Sequence, residues 1–297
     1  MTNVTICSAI MSGRHTLSLE FFPPKSEKAV GQLLKTSKEL KVLSPDFVSI
    51  TYGAGGTTRK STFKYAKHLK DDCGYKVMPH ITCVGHSQRE ILDILNSYSA
   101  SSIKTVMALR GDPSLGESGF KPHPEGFKYA SELVDFINKQ GTDFEIGVGG
   151  YPEKHPEAPS LERDIKNLKH KLEAGADFIT TQLFYNNEHY NEFVKRCRNN
   201  KIDCPIIPGL MIPTNLKRVE RFCDFCNAEL PETLKSLMKS AGDDKVALKK
   251  IGVEWTFNQI KNLIENGAPG IHLYILNKSE MALSLYKKLK EENILSR

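Results

Sequence analysis

The stretch TLSLEFFPPK, residues 16–25, sets one carboxylate, Glu20, among Leu17, Leu19, Phe21 and Phe22. Two prolines follow at once, and neither can donate to a sheet ladder, so a strand must stop there. An acid buried in such a strand is desolvated and holds its proton toward neutral pH, which makes a usable general acid. Other segments carry chemistry of their own. TYGAGG, 51–56, offers three glycines through which backbone can approach a ligand closely, and PHIT carries His80. ALRGDP carries Arg110 and Asp112, GGYPEKHPEA carries Tyr151 and His155, and TTQLFY carries Gln182 with Phe184 and Tyr185. Each has a plainer reading alone: a tight turn, a satisfied core histidine, an Arg110–Asp112 salt bridge, a strand cap. Taken as a set they are an acid, a second carboxylate beside an arginine, amide and aromatic groups, and glycine-rich backbone. That set suits binding a flat polar heterocycle and moving protons or hydride, with a cofactor supplying the hard chemistry.

The elements that must position these residues alternate along the chain. Strand patterns fall at 16–21, 46–51, 76–82, 104–109, 144–149, 177–182, 205–209 and 270–275. Amphipathic stretches lie between them at 27–42, 60–72, 87–100, 126–140, 160–174 and 187–200. Eight strands with intervening helices predict an α/β fold, a single (βα)8 TIM barrel over 16–297, with 1–15 as an N-terminal extension. The interval 210–269 is too long for one helix, so an extra helix is expected near 231–240, after Pro231, before another at 247–266. In such barrels the active site forms at the C-terminal ends of the strands, where every segment quoted above falls. The glycine- and proline-rich stretch 111–126 follows strand four and reads as an active-site loop.

Bulk composition narrows the classes. The 297 residues carry a net charge of +6, with basic residues scattered over helix faces rather than blocked, which argues against nucleic acid. No apolar run approaches a membrane span, and the N-terminus lacks a signal-peptide pattern. Seven cysteines spread along the chain suit a reducing, cytoplasmic compartment. Cys223 and Cys226 form a CxxC inside a helical pattern with no second pair, so they read as two thiols on a helix, and no metal is expected. There is no GxGxxG after a strand, no P-loop and no GxSxG. Lys25 and Lys278 lie near strand ends, but no lysine sits as a Schiff-base residue would.

The segments LEFFPPK, SITYGAGG, PHITC, ALRGDP, GGYPEKHPEA, DIKNLKHKLEAGADFITTQLFY and IIPGLMIPTN resemble methylenetetrahydrofolate reductases. They occur in the family's order and span roughly 16–282. The resemblance implies noncovalent FAD and ping-pong reduction of 5,10-methylenetetrahydrofolate to 5-methyltetrahydrofolate by NADH or NADPH, feeding methionine synthesis. It makes Glu20 the general acid that protonates N5. Asp112 becomes the carboxylate near flavin and pterin, and Gln182 a folate ligand. It places flavin contacts at Thr51, Tyr52, Ala54, His80, Arg110, Gly111, Asp112, Tyr129, Ala130, Tyr151, His155, Ala158, Asp164, Asn167 and Lys171. Asp164, Asn167 and Lys171 recur at helical spacing on one face.

This chain departs from the family at three positions. Leu216 stands where many bacterial members have a phenylalanine that packs on the folate or nicotinamide. Lys278 stands where an arginine holds the folate glutamate tail, so the charge stays and the bidentate fork is lost. His170 replaces a common basic residue. Both Leu216 and Lys278 remain expected substrate contacts. A homo-oligomer is expected, and regulation by S-adenosylmethionine is not expected. Two rivals stay open: a flavin-free barrel lyase or methyltransferase domain, and a folate-binding protein without turnover.

Overall fold

The computed structural model describes residues 5–53, 59–112 and 119–295. Nine strands form one parallel sheet: β1 Thr16–Phe21, β2 Phe47–Ile50, β3 Val77–Thr82, β4 Thr105–Leu109, β5 Glu145–Gly150, β6 Phe178–Thr181, β7 Ile206–Ile207, β8 Gly209–Leu210 and β9 Gly270–Tyr274. β7 and β8 are two halves of one barrel strand, expected as 205–209 and broken at Pro208. Proline has no N–H for a ladder, yet its carbonyl still accepts from His272 N at 2.9 Å. β7 pairs with β6 and β8 with β9, so the two halves close the sheet into the expected barrel of eight staves.

Helices cover the outside. They are α2 Glu27–Glu39, α3 Arg59–Asp71, α4 Gln88–Ala100, α5 Ala130–Lys139, α6 Leu161–Glu173, α7 Asn187–Asn199, α8 Leu216–Cys226, α9 Glu232–Ser240, α10 Lys245–Glu265 and α11 Glu280–Glu291, after a short α1, Ile6–Ile10. Their starts are encoded locally. Ser26, Ser87, Ser160, Asn215 and Asp244 each cap an N-terminus with a side-chain oxygen, which satisfies backbone donors that the first turn leaves orphaned. The extra helix expected near 231–240 is α9, which starts directly after Pro231. The helix expected over 126–140 starts later, at Ala130.

Side-chain alternation sorts each strand into two faces. On β1, Leu17, Leu19 and Phe21 enter the layer between sheet and helices, leaving Ser18 and Glu20 on the barrel's inner face. All six residues of β1 are buried, because a parallel sheet in a barrel is covered on both sides. At the N-terminal end, the barrel interior is filled by Phe47, Met78, Met107, Phe178 and Ile207, and α1 closes it with Ile6 and Ile10. Each such apolar side chain contributes roughly 1.5–3 kcal/mol by leaving water. The interior of the C-terminal half carries polar groups instead.

Candidate active site

A cavity of about 900 Å³ opens at the C-terminal ends of the strands, toward the upper end of the roughly 300–1,000 Å³ usual for cofactor and ligand sites. Nearly all of the expected site residues line it. Glu20, Thr51, Tyr52, His80, Arg110, Gly111 and Asp112 come from strand ends, and Gln182 follows β6. Tyr129 and Ala130 open α5, while Tyr151, His155 and Ala158 belong to the loop after β5. Asp164, Asn167 and Lys171 share the inward face of α6. Ala54 lies outside the described residues. Leu216 packs with the apolar cluster under α8, and neither it nor Lys278 lines the cavity.

Glu20 sits on the cavity floor with 6% of its surface exposed. Its Oε2 is 3.4 Å from His80 Nε2, 3.7 Å from His272 Nε2 and 3.5 Å from the Ser49 hydroxyl. These are neighbours from β3, β9 and β2, all inward-facing. Burial is the largest influence on His80 and lowers its pKa, which favours the neutral ring. Tyr274, also inward on β9, donates to the Thr181 carbonyl at 2.6 Å, and burial keeps its hydroxyl protonated. The first strand therefore ends in an acid with polar neighbours and a face toward a cavity.

A cationic wall faces it from β4 and α6. Arg110 does not pair with Asp112, as a local salt bridge would have it. It forms a two-pronged pair with Glu157, 2.6 Å on both bonds, and lies over the Phe120 ring. Lys171 is half-buried, and its ammonium donates to the Gly149 carbonyl at 3.0 Å. Desolvation lowers its pKa, partly offset by Asp164. Asp164 accepts from His155 N at 2.9 Å, tying the loop after β5 to α6. Gly111 has φ +85, and a Cβ there would lie 2.6 Å from Val84 Cγ1. The glycine of ALRGDP is thus required by backbone conformation and by packing.

These groups suit a large cofactor with a flat ring and phosphates. Thr82 Oγ1 and Thr180 Oγ1, on β3 and β6, are buried and lack a hydrogen-bond partner among the described residues, and both line the cavity. Buried hydroxyls are rarely left so, and polar groups of a ligand would complete them. Lys171 and Arg110 supply charge for phosphates.

Several lining residues escaped the sequence reading: His272, Tyr274, Met211, Phe222, Phe225 and Arg163. The signal for His272 was present, a histidine in an apolar strand, but only closure of β9 against β1 brings it to Glu20. Phe225 is 66% exposed at the cavity's edge, on the helix that Leu216 begins. Cys223 and Cys226 are buried thiols of α8 whose pKa burial pushes up to about 12. A group the sequence spacing did not reveal is Glu153, His189 and Glu229, close enough together to hold a metal ion. His189 Nε2 lies 2.6 Å from Glu229 and 3.4 Å from Glu153, an arrangement that also makes an ion triad. Among the described residues no helix is long and apolar enough to cross a membrane.

Fold and site together define a βα barrel with a cavity at its C-terminal mouth into which polar groups converge, the form in which this architecture carries chemistry. Sequence comparison makes the assignment narrower. The family model described as methylenetetrahydrofolate reductase matches residues 5–290. The 5,10-methylenetetrahydrofolate reductase of Escherichia coli (strain K12) is 36% identical over 277 residues, 93% of this chain and 91% of that one. The enzyme of the same name from Pectobacterium carotovorum subsp. carotovorum is 35% identical with the same coverage. A probable methylenetetrahydrofolate reductase (NADH) from Oryza sativa subsp. japonica is 35% identical over 98% of this chain, which spans 51% of the plant protein. Among solved structures, an uncharacterized Clostridium thermocellum protein that binds two copies of 5-methyl-5,6,7,8-tetrahydrofolic acid superimposes with TM-score 0.62 at 17% identity, covering 95% of this chain and 98% of that one. The chain belongs to the methylenetetrahydrofolate reductase family. Membership places it among oxidoreductases of folate one-carbon metabolism built on a TIM barrel.

Proposed function

We propose that this protein reduces 5,10-methylenetetrahydrofolate to 5-methyltetrahydrofolate with electrons from NADH or NADPH, through noncovalent FAD, in a ping-pong cycle. The observation that carries the reading is Glu20, a buried acid at the floor of a cavity able to take both a cofactor and a stacked substrate. FAD, when bound, supplies the hydride chemistry that protein side chains lack. In this reading Lys171 and Arg110 hold its phosphates, with Arg110 exchanging Glu157 for them. Tyr129, Tyr151 and the backbone of Thr51, Tyr52 and Gly111 line the ring and ribose. Ala158 lies beside them in the cavity lining.

The folate is held by Asp112 and Gln182, which line the cavity. Glu20 delivers its proton to N10 of the substrate rather than N5, because only cleavage of the N10–methylene bond leaves the iminium on N5 that hydride converts to the 5-methyl group. Asp112, exposed near the same mouth, balances the cationic charge that develops on the pterin. Nicotinamide and folate use one face in turn, which is why a single cavity suffices and ping-pong kinetics are expected. The same reading has the barrel over 16–297 acting as one catalytic domain, behind the extension 1–15, in a cytoplasmic homo-oligomer.

The test is the visible spectrum of the purified protein in the absence of air. A flavin spectrum that bleaches with NADH or NADPH and recovers on adding methylenetetrahydrofolate is the expected result, and it names the donor. A protein that takes up no FAD would instead favour a flavin-free barrel.

A further inference from the structure

Glu20 is not the only buried polar group in the upper barrel. Ser18, Ser49 and His272 are also buried, His272 to 1% exposure, and all four stand on inward positions of β1, β2 and β9. Burying this much polarity in a barrel interior costs stability unless each group is matched. The Ser18 hydroxyl donates to the Ile271 carbonyl at 3.2 Å, and its oxygen stands 2.8 Å from His272 Nδ1. A hydroxyl has one proton. Assigning that proton to Ile271 leaves the ring to supply the proton of the Ser18–His272 bond, and on this assignment Nδ1 carries the hydrogen. The ring is further fixed by Phe47, stacked at 18° and 6.3 Å between centroids, and by the edge contact with Tyr274.

This tautomer leaves Nε2 as a bare acceptor, aimed at Ser49 Oγ at 3.4 Å and Glu20 Oε2 at 3.7 Å. A lone pair beside a carboxylate is repulsive, whereas a lone pair beside a carboxylic acid is a partner, directly or through the Ser49 hydroxyl. The other groups facing Glu20 are His80 from β3 and Tyr274 from β9, and neither brings a cation that would favour the carboxylate. Arg110 is committed to Glu157.

Resting on the proposed function, we infer that His272 is a positioning residue for the acid: fixed by Ser18 in its Nδ1–H form, it presents Nε2 to hold Glu20 protonated and aimed at the substrate. It makes no bond to the substrate itself. The arrangement resembles an orienting third group in a catalytic triad, with the polarity reversed so that the acid rather than the base is favoured.

Two measurements test it. The first is ¹⁵N NMR of histidine-labelled, flavin-loaded protein near neutral pH, with His272 assigned from its loss in His272→Gln. Protonated Nδ1 and bare Nε2 are expected, and an Nε2–H ring overturns the proposal whether or not the enzyme turns over. The second is the pH profile of flavin reoxidation by methylenetetrahydrofolate. In His272→Leu its alkaline limb should move down by about one pH unit, a tenfold loss of rate above the limb. His272→Gln, whose amide oxygen can accept in place of Nε2, should recover most of that loss and serves if the leucine variant does not fold. The readout in both variants is the loss of folate-dependent reoxidation beyond any loss in flavin reduction by the nicotinamide. An unmoved limb overturns the positioning role. A wild-type protein whose reduced flavin ignores the folate overturns the proposed function instead, while the NMR result still stands or falls alone.

Discussion

The two ends of this barrel use carboxylates in opposite ways. At the N-terminal end Asp46 accepts from Leu17 N at 2.8 Å, Asp177 from Ile146 N at 2.7 Å, and Glu145 from Ile6 N, Cys7 N and Thr105 Oγ1. Each ties backbone donors at the strand starts, above a plug of Phe47, Met78, Met107, Phe178 and Ile207. At the C-terminal end Glu20 meets one hydroxyl and two imidazoles, and Asp112 has no hydrogen-bond partner among the described residues. Acids whose oxygens are filled by backbone hold a structure together. Acids whose oxygens are free to exchange a proton or a ligand are available for chemistry. On β2 and β3 the inner face thus changes from packing to polar groups within two residues, from Phe47 to Ser49 and from Met78 to His80.

The comparison is broken most directly at Glu20. Glu20→Gln should slow folate reduction by about 10²–10⁴-fold while flavin reduction by NADH or NADPH stays near wild type, as read by stopped-flow absorbance of each half-reaction. Equal losses in both halves would remove the acid role. At the opposite end, Phe178→Ala should cost about 3–5 kcal/mol of stability, seen in denaturant unfolding, with KM for the folate unchanged. A shift in KM there would mean the two ends are coupled.

Acid should act on stability through the mouth. Burial depresses the pKa of both His80 and His155, so below about pH 6.5 the unfolded chain binds protons that the folded protein refuses. Stability contributed by these neutral rings is present above that pH and is lost as pH falls through the folded-state values. The melting temperature should therefore drop between pH 7 and pH 5, and His80→Gln should drop less steeply. The smallest effect is expected outside both ends. Lys139→Ala removes an exposed pair with Asp135 on α5 and should change stability by no more than about 0.5 kcal/mol.

Much of the site was legible because barrels put function at strand ends. Glu20, His80, Arg110, Asp112 and Gln182 could be picked by reading those ends in order, while the α6 trio came from the family resemblance, and helical spacing only put it on one face. Legibility ended where partners come from distant strands. Arg110 has Asp112 two residues away but bonds Glu157, because the loop after β5 folds back over β4. Leu216 was expected at the site because the resemblance sets it where many bacterial relatives have a phenylalanine, yet the helix directs it into the apolar cluster and exposes Phe225 two to three turns later. Glu153, His189 and Glu229 have no spacing that sequence could flag, since a loop after β5, α7 and the turn after α8 meet only in three dimensions.

By itself the sequence determined the alternation of strands and helices, the closure into a barrel and the carboxylate that ends the first strand. These follow from periodicity, caps and prolines, which act over a few residues. Tertiary structure alone decided which neighbours that carboxylate has. Ser49 lies 29 residues away and His272 252 residues away along the chain, and they reach Glu20 because β2 and β9 pair with β1 in one register. Proton placement depends on distances of a few ångströms in a buried space, and only the closed sheet fixes them.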